Sequence, residues 1–296
     1  MKKLSSGDRA FDIVNYTLMV ILTIVTLYPF LNVLAISLND SIDTVKGGIT
    51  IIPRSFTMQN YIEIFKTESL SISALISLLR TVIGTLTGII STLMVAFVIS
   101  RENFIAKKFV TIVFIITMYV SGGMIPEYML IRNLHLTNNF LVYILPGLIS
   151  VFNVIVLRSF IDELPYELQE SAKLDGANDI TICFRIIMPL CMPVIATLSL
   201  FIAVGQWNSW FDTYLYCGSK KWLTTLQFEL QKILLSAQST GRQDIYGSSD
   251  LVNQKRVSPE SLRMAMTIIA TIPIILVYPF VQKYFIKGLT LGGVKA

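Results

Sequence analysis

Charged side chains are scarce in this sequence: Asp, Glu, Lys and Arg make up 15% of its 296 residues, against about 25% in an ordinary soluble domain. The shortfall excludes a conventional water-facing surface and suits a lipid-facing chain, because an ionised side chain in hydrocarbon is expensive. His135 is the single histidine, which excludes chemistry built on several imidazoles. Cys183, Cys191 and Cys217 are odd in number and lack metal-ligand spacing, so they read as small packing hydrophobes. Also missing is the Gly-x-x-x-x-Gly-Lys-Ser/Thr phosphate cradle, which excludes ATP hydrolysis of the P-loop kind by this chain. No short repeat or low-complexity tract interrupts the sequence.

What fills the chain is apolar. Hydrophobic residues are 53% of the total and the mean hydropathy is +0.65. A spanning helix needs about 20 mostly apolar residues. Windows free of Asp, Glu, Lys and Arg run Ile13–Asn39, Thr81–Ser100, Phe109–Pro126, Asn133–Leu157, Ile186–Phe211 and Met264–Gln282. They predict an all-α integral membrane protein with six transmembrane helices, at about 13–38, 75–100, 109–131, 138–160, 187–211 and 263–285. The first window is too long for a cleavable signal peptide and lacks a small-residue cleavage site, so it counts as a span. Residues 13–287 then form one transmembrane domain, with a cytoplasmic N-terminus at 1–12 and a cytoplasmic tail at 288–296. The net charge of +5 needs no nucleic acid, because Lys and Arg flanking the spans set orientation. The short flanks Met1–Asp12 and Arg101–Lys108 favour both termini inside. On that orientation Asp40–Leu79 and Asp212–Arg263 are long outer segments, each either a docking site or a solvated connector. Leu226–Ser236 has helical spacing, and Gln238–Asn253 is rich in Gly, Ser and Asp and reads as a loop. Arg80 is expected to snorkel at the outer interface.

The segment between the fourth and fifth windows, 162–188, carries the most local information. It reads as two short helices joined by a turn. Pro165 suits a first helical position, and Leu164, Leu168, Ser171 and Ala172 share a face. Gly176 is placed to end the first helix in the left-handed conformation. Asn178 or Asp179 is placed to cap the second, whose Ile180, Phe184 and Ile187 form an apolar stripe. Such a helix pair either lies on the membrane or docks into a protein cleft. Glu167, Glu170 and Asp175 favour the cleft, since anionic lipid attracts Lys and Arg.

Glu170-Ser171-Ala172, Gly176, Ile186 and Met188-Pro189 resemble the EAA loop of binding-protein-dependent ABC importer permeases. That loop reads Glu-Ala-Ala, three residues, Gly, nine residues, Ile, one residue, Leu-Pro. Every spacing matches, with Ser171 for Ala and Met188 for Leu as the departures. Leu174-Asp175-Gly176-Ala177 resembles the carbohydrate-uptake branch. The tail Gly288–Ala296, with Gly288, Gly292 and Gly293, is similar to the C-terminus of maltose-permease-type subunits, which reaches between the two ATPases. Ser121–Pro126 with Tyr128 and Leu130 resembles the oligosaccharide subgroup that includes alginate-type importers.

The resemblance covers nearly the whole chain and implies a multi-pass permease of the bacterial cytoplasmic membrane that is not itself an enzyme. It implies that Glu167, Glu170, Ser171, Ala172, Asp175, Gly176 and Ala177 form the loop coupled to the ATPases. It also implies a second permease subunit in a heterodimer, two ATPase subunits holding ATP and Mg, and an extracellular binding protein that delivers an oligosaccharide. No cofactor is expected in this chain. Gln206, Trp207 and Asn208, with Trp210, combine amides and aromatic faces suited to sugar rings; the alternative is an interfacial aromatic belt. Tyr119 and Asn153 are further path candidates, or else helix-packing glue. Competing readings are a permease for peptides, polyamines or phosphonates, a membrane enzyme, and an autonomous secondary transporter. The Asp175-Gly176-Ala177 extension and the tail argue against the first, the charge-free windows against the second, and the docking loop against the third.

Overall fold

A computed structural model of the chain describes residues 6–66, 68–243 and 258–292. The described residues are helical apart from turns and one isolated antiparallel bridge, Asn39 to Phe56. In order, the α-helices are α1 (Ser6–Ser37), α2 (Ser41–Val45), α3 (Gln59–Phe65), α4 (Glu68–Ser100), α5 (Lys107–Tyr119), α6 (Met124–Asn133), α7 (Val151–Asp162), α8 (Glu167–Leu174), α9 (Asp179–Thr181), α10 (Met188–Leu190), α11 (Met192–Asn208), α12 (Leu226–Gln243) and α13 (Pro259–Gly292). The chain divides into two compact units, Met1–Glu68 with Leu230–Ile272, and Ser69–Glu229 with Pro273–Ala296.

Among the described residues, three helices are long and apolar enough to cross a membrane, and up to five candidates result if each of two bent pairs is one span. The expected boundaries need correction where the backbone breaks. The helix that holds the expected second span, 75–100, begins at Glu68, so the end of the expected polar segment Asp40–Leu79 belongs to α4. The third window is α5 and α6, bent by 119° around Gly123, whose φ of +85° suits a residue without Cβ. The fifth breaks by 88° at Cys191, between Pro189 and Pro193, whose missing N–H groups weaken the helical ladder. The fourth window holds no long helix. His135 and Asn138 take positive φ, a single 3₁₀ turn covers Phe140–Tyr143, and α7 has 12 residues, about 18 Å against a hydrocarbon core of about 30 Å. The stretch Gln238–Asn253 also departs from expectation: α12 runs to Gln243, and 244–253 lie outside the described residues.

In the first unit, the chain after α1 folds into a hydrogen-bonded knot. Asn39 and Asn60 are both buried. Asn39 donates to Asp43 Oδ2 (3.1 Å) and accepts from the Ser55 amide (2.8 Å). Asn60 donates to the Ser37 and Asn39 carbonyls at 2.8 and 3.0 Å and accepts from the Ser41 hydroxyl. Arg54 closes the rim on Asp43 at 3.0 Å. The Asn39 hydrogen bond and the Arg54 charge hold the Asp43 carboxyl below its ordinary pKa.

Among its described residues the second unit has two apolar cores. One joins Leu93, Ala96 and Phe97 of α4 to Leu157 and Ile161 of α7, Ile182 and Ile187 of the following loop, and Leu198 of α11. The other gathers Ile76, Ile131, Val142, Tyr143 and Leu223. Helices in lipid gain little from burying apolar area against one another, so association rests on close packing. Gly84 and Gly88 of α4 provide it: a Cβ at Gly84 would lie 2.9 Å from the Gln206 side chain, and one at Gly88 would lie 3.6 Å from Ile202.

Candidate functional site: helical loop and interior cavity

The loop at 162–188 is built by short-range chemistry. The Gly176 amide donates to the Lys173 carbonyl at 3.0 Å and the Ala177 amide to the Ala172 carbonyl at 2.9 Å. With Gly176 at φ +81°, this is a Schellman motif that closes α8. Asn178, rather than Asp179, caps α9, accepting from the Thr181 amide at 2.8 Å. Pro165 sits just ahead of α8 and its carbonyl accepts from Leu168. Gln169 and Ala172 are the buried residues of α8, while Glu167, Glu170, Ser171, Asp175 and Gly176 are exposed and Ala177 half-buried.

The second apolar stripe is met in part: Phe184 and Ile187 pack on the core and Ile180 does not. Ile180 is 69% exposed, and the buried residues are Ile182, Cys183 and Ile187. The cause is pitch: Ile182–Ile187 is a π-helix, in which the Met188 amide reaches back five residues to the Cys183 carbonyl. Residues five apart then share a face, and a 3.6-residue period misassigns them. Leu174, 90% exposed, and Ile180 thus leave an apolar surface on either side of Gly176, rimmed by carboxylates.

Arg101, the first residue after α4, joins both halves of this loop. Its guanidinium donates to Gln169 Oε1 of α8 at 2.8 Å and ion-pairs with Asp179 of α9. It also lies 4.5 Å over the Phe97 ring.

A cavity of about 490 Å³ lies within the same unit, lined by Arg80, Glu127, Tyr143, Asn153, Phe201, Gln206, Asp212 and Tyr216 among others. Arg80 does not snorkel. It is 2% exposed, and five hydrogen bonds use its five N–H donors. Asp212 takes two, at 3.2 and 2.6 Å, Gln206 Oε1 takes two, at 3.1 and 3.0 Å, and the Ser209 carbonyl takes one, at 3.3 Å. The guanidinium stacks 4.4 Å from the Tyr143 ring. Gln206 Nε2 donates to the Tyr143 carbonyl at 3.2 Å, and the Tyr143 hydroxyl donates to the Leu223 carbonyl at 2.6 Å. The clamp therefore joins α4, the 140–143 turn and the end of α11.

Of the path candidates, Asn153 and Gln206 line this cavity. Tyr119 is exposed at the end of α5, Trp207 is half-buried and Asn208 exposed, and none of the three lines it. Gly288 and Gly292 fall in the last turns of α13, and Gly293 lies outside the described residues. Asp212 is the functional candidate that sequence reading missed. The available signal was Ser73, Ser77 and Arg80 on one face of an apolar helix; an intramembrane arginine demands a partner.

The chain belongs to the family described as binding-protein-dependent transport system inner membrane component, which it matches over residues 1–291. It is thus a membrane permease component of an ABC transport system. It is 37% identical to the polygalacturonan/rhamnogalacturonan transport system permease protein YtcP of Bacillus subtilis (strain 168), over 97% of this chain and 99% of that one. Protein LplC of the same organism is 36% identical over 98% of this chain and 97% of its own. Among solved structures, a chain of a bacterial ABC transporter involved in the import of the acidic polysaccharide alginate superposes with a TM-score of 0.83. That pair shares 27% identity, covering 96% of this chain and all of the other.

Proposed function

We propose that this chain is one of two permease subunits of an ATP-driven importer, passing an oligosaccharide that an extracellular binding protein delivers. The observation that carries the proposal is the 162–188 loop. A capped helix with an acidic and apolar exposed surface is seated on the bundle core through Gln169 and Ala172, and the chain has no phosphate cradle of its own. Two ATPase subunits, holding ATP and Mg, would dock on Glu167, Glu170 and Asp175 and on the exposed Leu174 and Ile180. Their closure on nucleotide would rock the spans between two states as rigid bodies. Six spans with both termini inside put this loop and the end of α13 on the ATPase side; the broken segment 138–160 counts as the fourth span. Gly288, Gly292 and Gly293 would then reach between the ATPases.

The carbohydrate assignment is supported by the named substrates of the relatives and by a cavity that mixes amides, carboxylates and aromatic rings. Asn153 and Gln206 would meet the solute there. Tyr119, Trp207 and Asn208 would meet it only where the second subunit completes the path. The α12 region and the segment after it would face the binding protein.

The test is the Gly176→Val variant in proteoliposomes with the ATPases and binding protein. At φ +81° an L-residue costs about 1–2 kcal/mol in the left-handed conformation, and a β-branched one more. The variant should insert in the membrane yet lose sugar uptake and stimulated ATP hydrolysis. Unchanged uptake would sink the proposal.

A further inference from the structure

Two arginines bracket most of one helix. α4 runs from Glu68 to Ser100 with no proline and no break, whereas α5–α6 and the helices around Cys191 are both sharply bent. Arg80 on this helix belongs to the cavity clamp. Arg101, just beyond its last turn, holds the coupling loop. At 1.5 Å per residue the two positions lie about 30 Å apart along the axis, roughly the depth of a hydrocarbon core.

The loop's attachment to the rest of the unit is uneven. The segment after Gly176 is embedded through Ile182, Cys183 and Ile187. Before Gly176, α8 contributes Ala172 to the core, and Gln169 is its only other buried residue. Ala172 packs on the π segment that follows α9, but Gly176 has nothing within 4 Å of where a Cβ would stand, so α8 is held to α9 by that one seat and the Schellman bonds. Arg101 spans that hinge. One planar guanidinium, 12% exposed and backed by the Phe97 ring, grips Gln169 on one side and Asp179 on the other. An ammonium could not hold both in a fixed plane, because it is a compact point charge without the guanidinium fork.

We infer that Arg101 is a positioning residue for transport, the strut that makes displacement of α8 a displacement of α4 and thereby of the Arg80 clamp at the cavity. A push on α8 without the strut would flex at Gly176. A push with it acts on an unbroken rod. The inference rests on the coupling-loop reading proposed above.

The experiment compares ATP hydrolysis and sugar uptake in the reconstituted complex for the parent, Arg101→Ala, Arg101→Lys, Arg101→Asp, and the swap Arg101→Asp with Asp179→Arg. Arg101→Ala should co-purify with the ATPases and retain the hydrolysis measured without binding protein within about twofold, while its stimulation by loaded binding protein falls. Uptake per ATP should fall about tenfold, the scale of one lost charge-assisted hydrogen bond. Arg101→Lys should recover only part of the ratio, and the swap more than Arg101→Asp alone. Uptake per ATP that stays at the parent value in Arg101→Ala would overturn the strut. So would a loss of uptake that tracks loss of bound ATPase, since Arg101 would then serve docking alone. If Arg101→Ala does not insert, Gln169→Ala is measured instead, leaving the arginine and Asp179 in place; the same ratio decides. A parent complex that binds no ATPase would refute the permease reading itself, a result distinguishable from either.

Discussion

The Arg80 clamp makes an asymmetric prediction. Removing Asp212 leaves a guanidinium that is 2% exposed with only Gln206, the Ser209 carbonyl and a tyrosine ring for company. Removing Arg80 leaves a carboxylate that is 22% exposed and still accepts from the Thr213 amide at 2.8 Å. Breaking a fully buried pair costs about 3–5 kcal/mol, and an exposed one about 0–1. For Asp212→Ala the arginine sits at the buried limit while the aspartate is partly hydrated, so about 2–3 kcal/mol is expected. For Arg80→Met about 1 kcal/mol is expected, because the remaining charge reaches water and the methionine fills much of the volume. The double variant should be well short of the summed losses of the singles, since no stranded charge remains. With about 2–4 °C of midpoint shift per kcal/mol for a unit of this size, Asp212→Ala should lower the unfolding midpoint in detergent by roughly 5–10 °C. Equal losses for the two single variants, or additive losses in the double, would refute the reasoning.

Gly84→Ala should push the Gln206 side chain, 2.9 Å from the new methyl, off both Arg80 and the Tyr143 carbonyl. Uptake should slow and stability fall by about 1 kcal/mol, with much of the loss absent when Gln206 is already alanine, as a double-mutant cycle would measure. Asn60→Ala should strand the Ser41 hydroxyl and the Ser37 and Asn39 carbonyls, costing about 2–3 kcal/mol and exposing the chain after Arg54 to trypsin. Asp43 titrates below its ordinary range, so its contribution to the 37–60 knot is complete above the unfolded value. It is lost as pH falls through the lowered folded value. Amide exchange at Ser55 followed from neutral pH into the acid range should show that loss, and Asp43→Asn should abolish the pH dependence while leaving a uniformly weaker knot.

Local chemistry was legible where it is local. Gly176 and Asn178 act within four residues of themselves, and their conformations follow from what a missing Cβ and a short amide permit. Of the stripe Ile180, Phe184 and Ile187, the last two meet the core and Ile180 does not, because nothing in a run of apolar residues announces a change from α to π pitch. The charge-free windows report what lipid tolerates, not whether a helix is continuous. Asn133–Leu157 passes the first criterion while Asn138, Pro146 and Gly147 defeat the second. The snorkelling expected of Arg80 failed for a different reason: its burial depends on Asp212, 132 residues away, and no spacing rule connects them. The first unit's knot was hidden likewise, since Asn39 and Asn60 look like any loop asparagines until the turn at 47–48 brings Ser55 back to Asn39.

The π segment carries an implication for the chain's length. A π turn is an α turn holding one residue too many, so Ile182–Ile187 sets a phase angle between what comes before and after it. Deleting one residue there would restore α pitch and leave the downstream helix close to its present phase, since six residues at roughly 80° each turn about as far as five at about 100°. The motif around Gly176 and the face bearing Gln206 would each survive and stay nearly in step. Removing one residue from the α-helical stretch that follows would instead rotate everything after it by about 100°. Chimaeras that exchange loops between permeases should therefore place an unavoidable one-residue mismatch in the π turn rather than in the helix beyond it.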